Sequence, residues 1–198
     1  MLFGKVLLLG GIAFSLSVNA AESARKLPAP DLSGGAPLME VIAKRKSIRE
    51  FSAKKIDDSD LSNILFAAWG ISHDGKRTIP TAKNTQDLNV YVVNSNGAWL
   101  YDAKDNLLKK ITNENIMQFI SLQDFVKNAP LTIVYTGKDE KSSAMNAAAA
   151  YQNVGLYCAS RGLNNVVRGY IDYEALGNAL KLTDEKVAVT QTIGWPHM

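Results

Sequence analysis

The chain has 198 residues, 46% hydrophobic and 21% charged, with a formal net charge of +3. So even a balance gives no global field for holding nucleic acid, and Cys158, the single cysteine, excludes an intramolecular disulfide. Two histidines and one thiol without ligand-like spacing leave no basis for a metal centre.

The first twenty residues, MLFGKVLLLGGIAFSLSVNA, contain Lys5, an uncharged and mostly apolar run from Val6 to Val18, and small residues just before Ala21. These are the three parts of a secretory signal. The run is short for a membrane span, which needs roughly 20 apolar residues. The expected product is therefore exported, periplasmic or secreted, with no membrane span after cleavage. Residues 21–37, rich in Pro, Gly and Ala, read as a flexible leader. Residues 38–198 are then the folded domain, of a length that suits a single core.

LMEVIAKRKS predicts a helix from Leu38, with Val41 and Ile42 at helical spacing and its cations at the C-terminal end, where they complement the dipole. The following stretch, RKSIREF at 45–51, is extended. Its alternation points Arg45, Ser47 and Arg49 the same way, with Lys46 between them and Ile48 turned inward. A solvated charge run and a polyanion site are the two readings of that cluster. IDDSDLSNILFAAWG gives a second helix, capped by Asp57 or Asp58, striped by Leu61, Ile64, Leu65, Ala68 and Trp69, and stopped at Gly70.

GISHDGKRT at 70–78 nearly matches a phosphate-binding loop but has Arg77 where a hydroxyl is required, and it follows a helix rather than a strand. His73 is read as a turn residue. LNVYVV (88–93), AWLYDA (98–103) and NLLKKIT (106–112) form an antiparallel meander. Ile116, Phe119, Ile120 and Phe125 then recur at near-helical spacing up to Pro130. LTIVYTG (131–137) is a buried strand, and residues 141–161 a long helix whose small residues admit another backbone, in the core or across an interface. NNVVRGYID, the short helix YEALGNAL and the strand KVAVTQTIGW close an α+β pattern without a βαβ rhythm.

No G-x-S-x-G or G-x-G-x-x-G is present, and Cys158 sits mid-helix among alanines as an inert buried thiol. Two polar stretches stay unexplained by structure alone: the cluster at 45–49, and PTAKNTQ at 80–86 with Thr81, Asn84 and Gln86 before a strand. Together they offer charge for a phosphate and neutral groups for a heteroaromatic ring.

From about Leu38 to Trp195 the sequence resembles the nitroreductase family of flavoproteins. The residues that carry the resemblance are Arg45, Ser47 and Arg49 for R-x-S-x-R/K, and Pro80, Thr81, Asn84 and Gln86 for P-S-x-x-N-x-Q. SRGLNN after the long helix and the closing TIGWP complete the set. The resemblance implies a three-layer α+β fold with a central, mostly antiparallel sheet flanked by helices. It also implies an FMN-binding homodimer, with flavin at the interface and two-electron ping-pong transfer between a small-molecule donor and acceptor. By position, Arg45, Lys46, Ser47 and Arg49 would hold phosphate and ribityl groups, and Thr81, Asn84 and Gln86 would reach the flavin of the other subunit. Val167, Arg168 and Gly169 would lie beside the ring, with Arg168 either tuning the flavin or forming a surface salt bridge. No side chain is implied as a catalytic acid or base.

The sequence departs from the family where VVRG replaces P-x-E-G and where only His197 and Met198 follow the final Pro196. Both departures argue against NAD(P)H as donor. The short chain also resembles the SagB-like dehydrogenase branch. An exported flavin- or phosphate-binding module without turnover is the alternative.

Overall fold

The computed structural model describes residues 24–197; the secretory signal expected at 1–20 lies outside them. The strands are β1 (Ala24–Lys26), β2 (Asn89–Asn94), β3 (Gly97–Asp102), β4 (Leu107–Thr112), β5 (Leu131–Gly137), β6 (Asn164–Arg168) and β7 (Lys186–Gly194). The helices are α1 (Leu38–Lys44), α2 (Asp58–Trp69), α3 (Glu140–Arg161) and α4 (Tyr173–Ala179). One seven-stranded sheet runs β1-β4-β3-β2-β5-β7-β6 with every neighbouring pair antiparallel. The architecture is the expected α+β, three-layer arrangement.

Alternation along the central strands decides which residue faces which layer. Val90, Val92, Ile133 and Tyr135 pack with Leu61, Ile64 and Leu65 of α2 and with Ala147, Ala150, Val154 and Cys158 of α3. Their neighbours Tyr91, Val93 and Val134 face Leu176 of α4 and Ile120 and Val126. Ile64 and Leu65 are fully buried, a contribution of about 2 kcal/mol each. The small residues of α3 therefore serve the monomer core, where Ala147 and Ala150 let the helix lie close to the sheet. α2 begins at the Asp57 cap, whose side chain accepts the Asp60 amide at 2.8 Å. α3 ends at Gly162 in the left-handed conformation, φ 79°.

Two expectations are corrected. Residues 24–31 of the leader are docked rather than free. β1 pairs with β4, Leu27 is buried, and the Pro28 carbonyl accepts from Ser62 Oγ at 2.6 Å and Asn106 Nδ2 at 2.7 Å. An edge strand with one buried leucine outweighs the Pro and Gly content that suggested a linker. The apolar residues 116–125 form not a helix but two 3-10 turns, Met117–Phe119 and Asp124–Val126. Between them Gln123 is extended, and the Ile120 carbonyl accepts from Arg168 instead of a helical amide. Gly70 stops α2 as expected, in extended backbone, φ −62° and ψ 171°, at a place where a Cβ would collide with Phe66.

Candidate functional site

α1 is only seven residues long, and its last amide bond, Arg45 N–H to the Val41 carbonyl at 2.9 Å, leaves the chain extended from Arg45 onward. That extended segment lies against the free edge of β6. Ile48 N–H donates to the Asn165 carbonyl at 2.9 Å, and Asn164 Nδ2 donates to the Glu50 carbonyl at 2.8 Å. Ile48 and Arg45 are half-buried, while Lys46, Ser47 and Arg49 are exposed, so burial here departs from the strict alternation expected of the segment. The stem of Arg45 rests on α3 at Gly155, where an added Cβ would stand 3.5 Å from its Cγ and Cδ. Among the described residues Arg45, Lys46 and Arg49 enter no ion pair. Three cations and a hydroxyl are thus held at one sheet edge with their charge unspent.

Because the Asn165 carbonyl faces this edge, two-residue alternation turns the Val167 peptide groups the same way. Gly169 follows, exposed, with its Cα against the Tyr173 hydroxyl. Beneath the cluster sits a buried polar chain that sequence reasoning missed. Tyr135 Oη donates to Gln191 Oε1 at 2.8 Å, and Gln191 Nε2 donates to Asn165 Oδ1 at 3.0 Å and to the Tyr151 carbonyl at 3.1 Å. Burial pushes the Tyr135 phenol well above its ordinary pKa, so it acts there as a donor. The signal was the polar run Thr190, Gln191, Thr192 inside an otherwise apolar closing strand.

Arg168 is not a surface residue. It is 5% exposed, and its guanidinium donates to Gln123 Oε1 (3.0 Å), the Ile120 carbonyl (2.8 Å), the Tyr170 carbonyl (3.2 Å) and Thr192 Oγ1 (3.4 Å). No carboxylate pairs with it among the described residues, which corrects the salt-bridge reading. Desolvation lowers its pKa. The side chain fastens the 3-10 segment and the Gly169–Ile171 turn to the end of β6.

Thr81, Asn84 and Gln86 form a separate group. The Gln86 amide N–H donates to Thr81 Oγ1 at 3.2 Å, Gln86 Nε2 to Asn84 Oδ1 at 3.1 Å, and Arg77 Nε to Gln86 Oε1 at 3.2 Å. Positive φ at Lys83, Asn84 and Gln86, 51°, 54° and 50°, curls the loop tightly. Asn146 Nδ2 ties it to the early part of α3 through Asp87 at 2.8 Å. At about 1.5 Å rise per residue, Asn146 and Gly155 are ~13 Å apart along α3. The far end of the loop is thus anchored away from the seat of Arg45, while the Thr78 carbonyl, just before the loop, accepts from Asn153 Nδ2 at 3.4 Å.

The P-loop look-alike is a turn: Ile71 bridges Arg77, Ser72 N–H donates to the Lys76 carbonyl at 2.7 Å, and His73 is exposed. Cys158 is fully buried and its thiol pKa is raised by desolvation, so it is no nucleophile. A cleft of about 530 Å³ lined by residues such as Arg25, Lys55, Asp58 and Asn94 includes none of the expected cofactor residues.

Residues 42–195 match the model of the nitroreductase family. The chain belongs to the nitroreductase family. A candidate nitroreductase of Methanocaldococcus jannaschii is 27% identical over 169 residues, 74% of this chain and 85% of its own length. The crystal structure of a candidate nitroreductase from Ralstonia eutropha JMP134 superposes with a TM-score of 0.84 at 34% identity, covering 91% of this chain and 93% of that one. The Escherichia coli microcin synthetase McbBCD complex shares the fold at 16% identity and a TM-score of 0.65, covering 98% and 79%. Membership of this family points to flavin-dependent oxidoreduction. No helix among the described residues is long and apolar enough to cross a membrane.

Proposed function

We propose that this nitroreductase-family protein is an exported FMN-dependent oxidoreductase. It would act as a homodimer, by two-electron ping-pong transfer from a small-molecule donor to a small-molecule acceptor. The observation that carries the reading is the edge of β6, along which Arg45, Lys46 and Arg49, without ion pairs among the described residues, follow one another with the Ser47 hydroxyl. A phosphate carries about −1.5 to −2 charge at neutral pH, and two guanidiniums match it in charge and in donor geometry. These residues fit FMN. Arg45, Lys46 and Arg49 would hold the phosphate and Ser47 the ribityl chain, while Val167, Arg168 and Gly169 border the ring. FMN, when bound, supplies the two-electron chemistry; the protein binds, orients and electrostatically tunes it.

The ~13 Å along α3 between Asn146, which holds Asp87 at the end of the loop, and Gly155, which seats Arg45, suits a partner subunit as the source of Thr81, Asn84 and Gln86. α1 packs on α3 and exposes Leu38, Met39 and Ile42. Apolar side chains exposed in such a group suit a subunit interface. Arg168 stands where an acidic residue would orient a nicotinamide, which favours a donor other than NAD(P)H. Within the family, the resemblance of the sequence to the SagB-like dehydrogenase branch points the same way.

The test is the visible spectrum of the protein expressed from Ala21, with the released chromophore identified after denaturation. Near-stoichiometric FMN is the expected result. A colourless protein that stays colourless with excess FMN removes the reading, and bound FMN that no donor reduces leaves a binding module without turnover.

A further inference from the structure

We propose that the side-chain amide of Asn165 is a further ligand-binding group of the β6 edge, donating from Nδ2 to the oxygens of a phosphate held by Arg45. The orientation of that amide is fixed from inside the sheet. Tyr151 offers Gln191 a backbone carbonyl, which can only accept, so the group 3.1 Å from it is Gln191 Nε2. Gln191 Oε1 then faces Tyr135, whose phenol donates to it at 2.8 Å. Of the two Nε2 hydrogens, one goes to the Tyr151 carbonyl and the other to Asn165, at 3.0 Å. The Asn165 atom that receives it must be an acceptor, hence Oδ1. Nδ2 is left as the other arm, able to donate and unable to accept.

That arm is the independent sign of a ligand. Asn165 is only 5% exposed, yet its Nδ2 has no hydrogen-bond partner among the described residues and is not sealed from solvent. Fully buried Gln191 closes the β7 side, and Gly155 of α3 lies over the Asn165 side chain. The side left open is that of the 45–48 segment, whose Ile48 N–H donates to the Asn165 carbonyl at 2.9 Å. Arg45 stands there. Its Cγ and Cδ and the Asn165 Oδ1 each lie 3.5 Å from the point a Cβ on Gly155 would occupy, so the glycine seats the arginine stem and the amide side by side. No carboxylate pairs with Arg45 among the described residues, and the Asn165 oxygen is spent on Gln191. A cation and a neutral donor with no acceptor between them select an oxyanion. Phosphate, with three acceptor oxygens and about −1.5 to −2 charge, takes a guanidinium and an amide at once. Because buried groups already hold the amide in place, little side-chain freedom is lost when it binds.

That the phosphate is the one on FMN rests on the FMN reading; the donor at Asn165 does not. Fluorescence titration of FMN and of riboflavin, with calorimetric titration of inorganic phosphate, into the purified protein, Asn165→Asp and Asn165→Ala decides the matter. Asn165→Asp still offers Gln191 an oxygen, so its urea midpoint should stay close to that of the parent. Its second oxygen puts a negative charge where the donor was, and FMN should bind about 100-fold more weakly. Asn165→Ala removes the donor alone and should weaken FMN about 10-fold. Riboflavin, which lacks the phosphate, should bind all three proteins within about 3-fold of one another. Undiminished FMN affinity in Asn165→Asp overturns the proposal and leaves the FMN reading standing. A loss that riboflavin shares in full also overturns it, since the amide would then serve the ring, the ribityl chain or the fold. A protein that ignores FMN but binds inorganic phosphate, with the same loss in Asn165→Asp, keeps the phosphate site and discards the FMN reading. Binding of neither overturns both.

Discussion

Arg45 and Arg49 differ from most surface arginines of this chain in what they lack. Arg25 has Asp58 at 3.3 Å and Arg161 has Asp60 at 2.7 Å, while the cluster arginines have no carboxylate among the described residues. Replacing either by Ala should leave thermal stability nearly unchanged, because no intramolecular bond is lost. FMN affinity should fall about 10-fold for each, the worth of one charge-assisted contact at the low end of about 1.5–3 kcal/mol. Fluorescence titration of FMN against each variant checks this, and undiminished affinity in the double variant would assign the cluster to solvent. Arg168 makes the opposite case. Its four acceptors come from three directions around a planar fork, and a lysine ammonium cannot serve them together. Arg168→Lys should destabilise the fold by about 2 kcal/mol through the stranded Ile120 carbonyl, read as a shift in urea midpoint at constant slope.

At the scale of elements, the docked leader makes a claim that sequence reasoning did not. Leu27 is 3% exposed under Asn106, whose backbone carbonyl accepts the Leu27 amide at 3.0 Å. Leu27→Ala should cost about 2–3 kcal/mol, toward the lower end for a core leucine because the site is at a sheet edge. A chain beginning at Leu38 should melt below one beginning at Ala24, and equal melting temperatures would return the segment to the status of a linker. The helices and strands with strong periodicity were legible in the sequence to within a residue, Asp57 capping and the Gly162 stop of α3 among them. What was not legible depended on partners distant in sequence. A three-residue strand such as β1 has too few positions to show alternation, and only its pairing with β4 defines it. The 116–125 segment has helical spacing, but Arg168, forty-eight positions from Ile120, takes the carbonyl a helix would use. In the same way the RKSIR cluster was visible as a motif, while its seat on Gly155 and the Tyr135–Gln191–Asn165 chain below it required the fold.

For the whole molecule, several buried acids titrate in the same direction, and their sum sets the alkaline limit of stability. Burial, reinforced by Asp102 and opposed by Arg77, pushes the Tyr101 phenol up to about 12. Burial likewise pushes Tyr157 up to about 12, with Asp60 adding and the Asn63 hydrogen bond opposing. Tyr91 and Tyr135 and the Cys158 thiol are raised further by desolvation. The Lys109 ammonium is raised as well, by its hydrogen bond to Asp102 at 2.6 Å. Below pH ~7.5 these groups are protonated in both folded and unfolded chains and exert no pull; the Cys158 thiol, ordinarily at about 8.5 in an unfolded chain, is the first to exert one. As pH rises past the ordinary phenol value of about 10, the unfolded chain releases its protons while the folded chain keeps them. The folded state then binds more protons, so stability falls with rising pH. The loss from Tyr101 and Tyr157 runs from about pH 10 to about 12, where their folded forms also ionise. Melting temperature should therefore decline steeply across that window, with the phenolate absorbance of Tyr91, Tyr101, Tyr135 and Tyr157 appearing at the unfolding transition, above what exposed Tyr170 and Tyr173 contribute. Tyr101→Phe removes one of these protons for the loss of a single hydrogen bond, to Asn106 Oδ1 at 3.1 Å. It should lower stability slightly at pH 8 yet flatten the decline above pH 10. A melting curve whose alkaline slope is the same with and without that hydroxyl would show that exposed charges, not the buried phenols, set the limit.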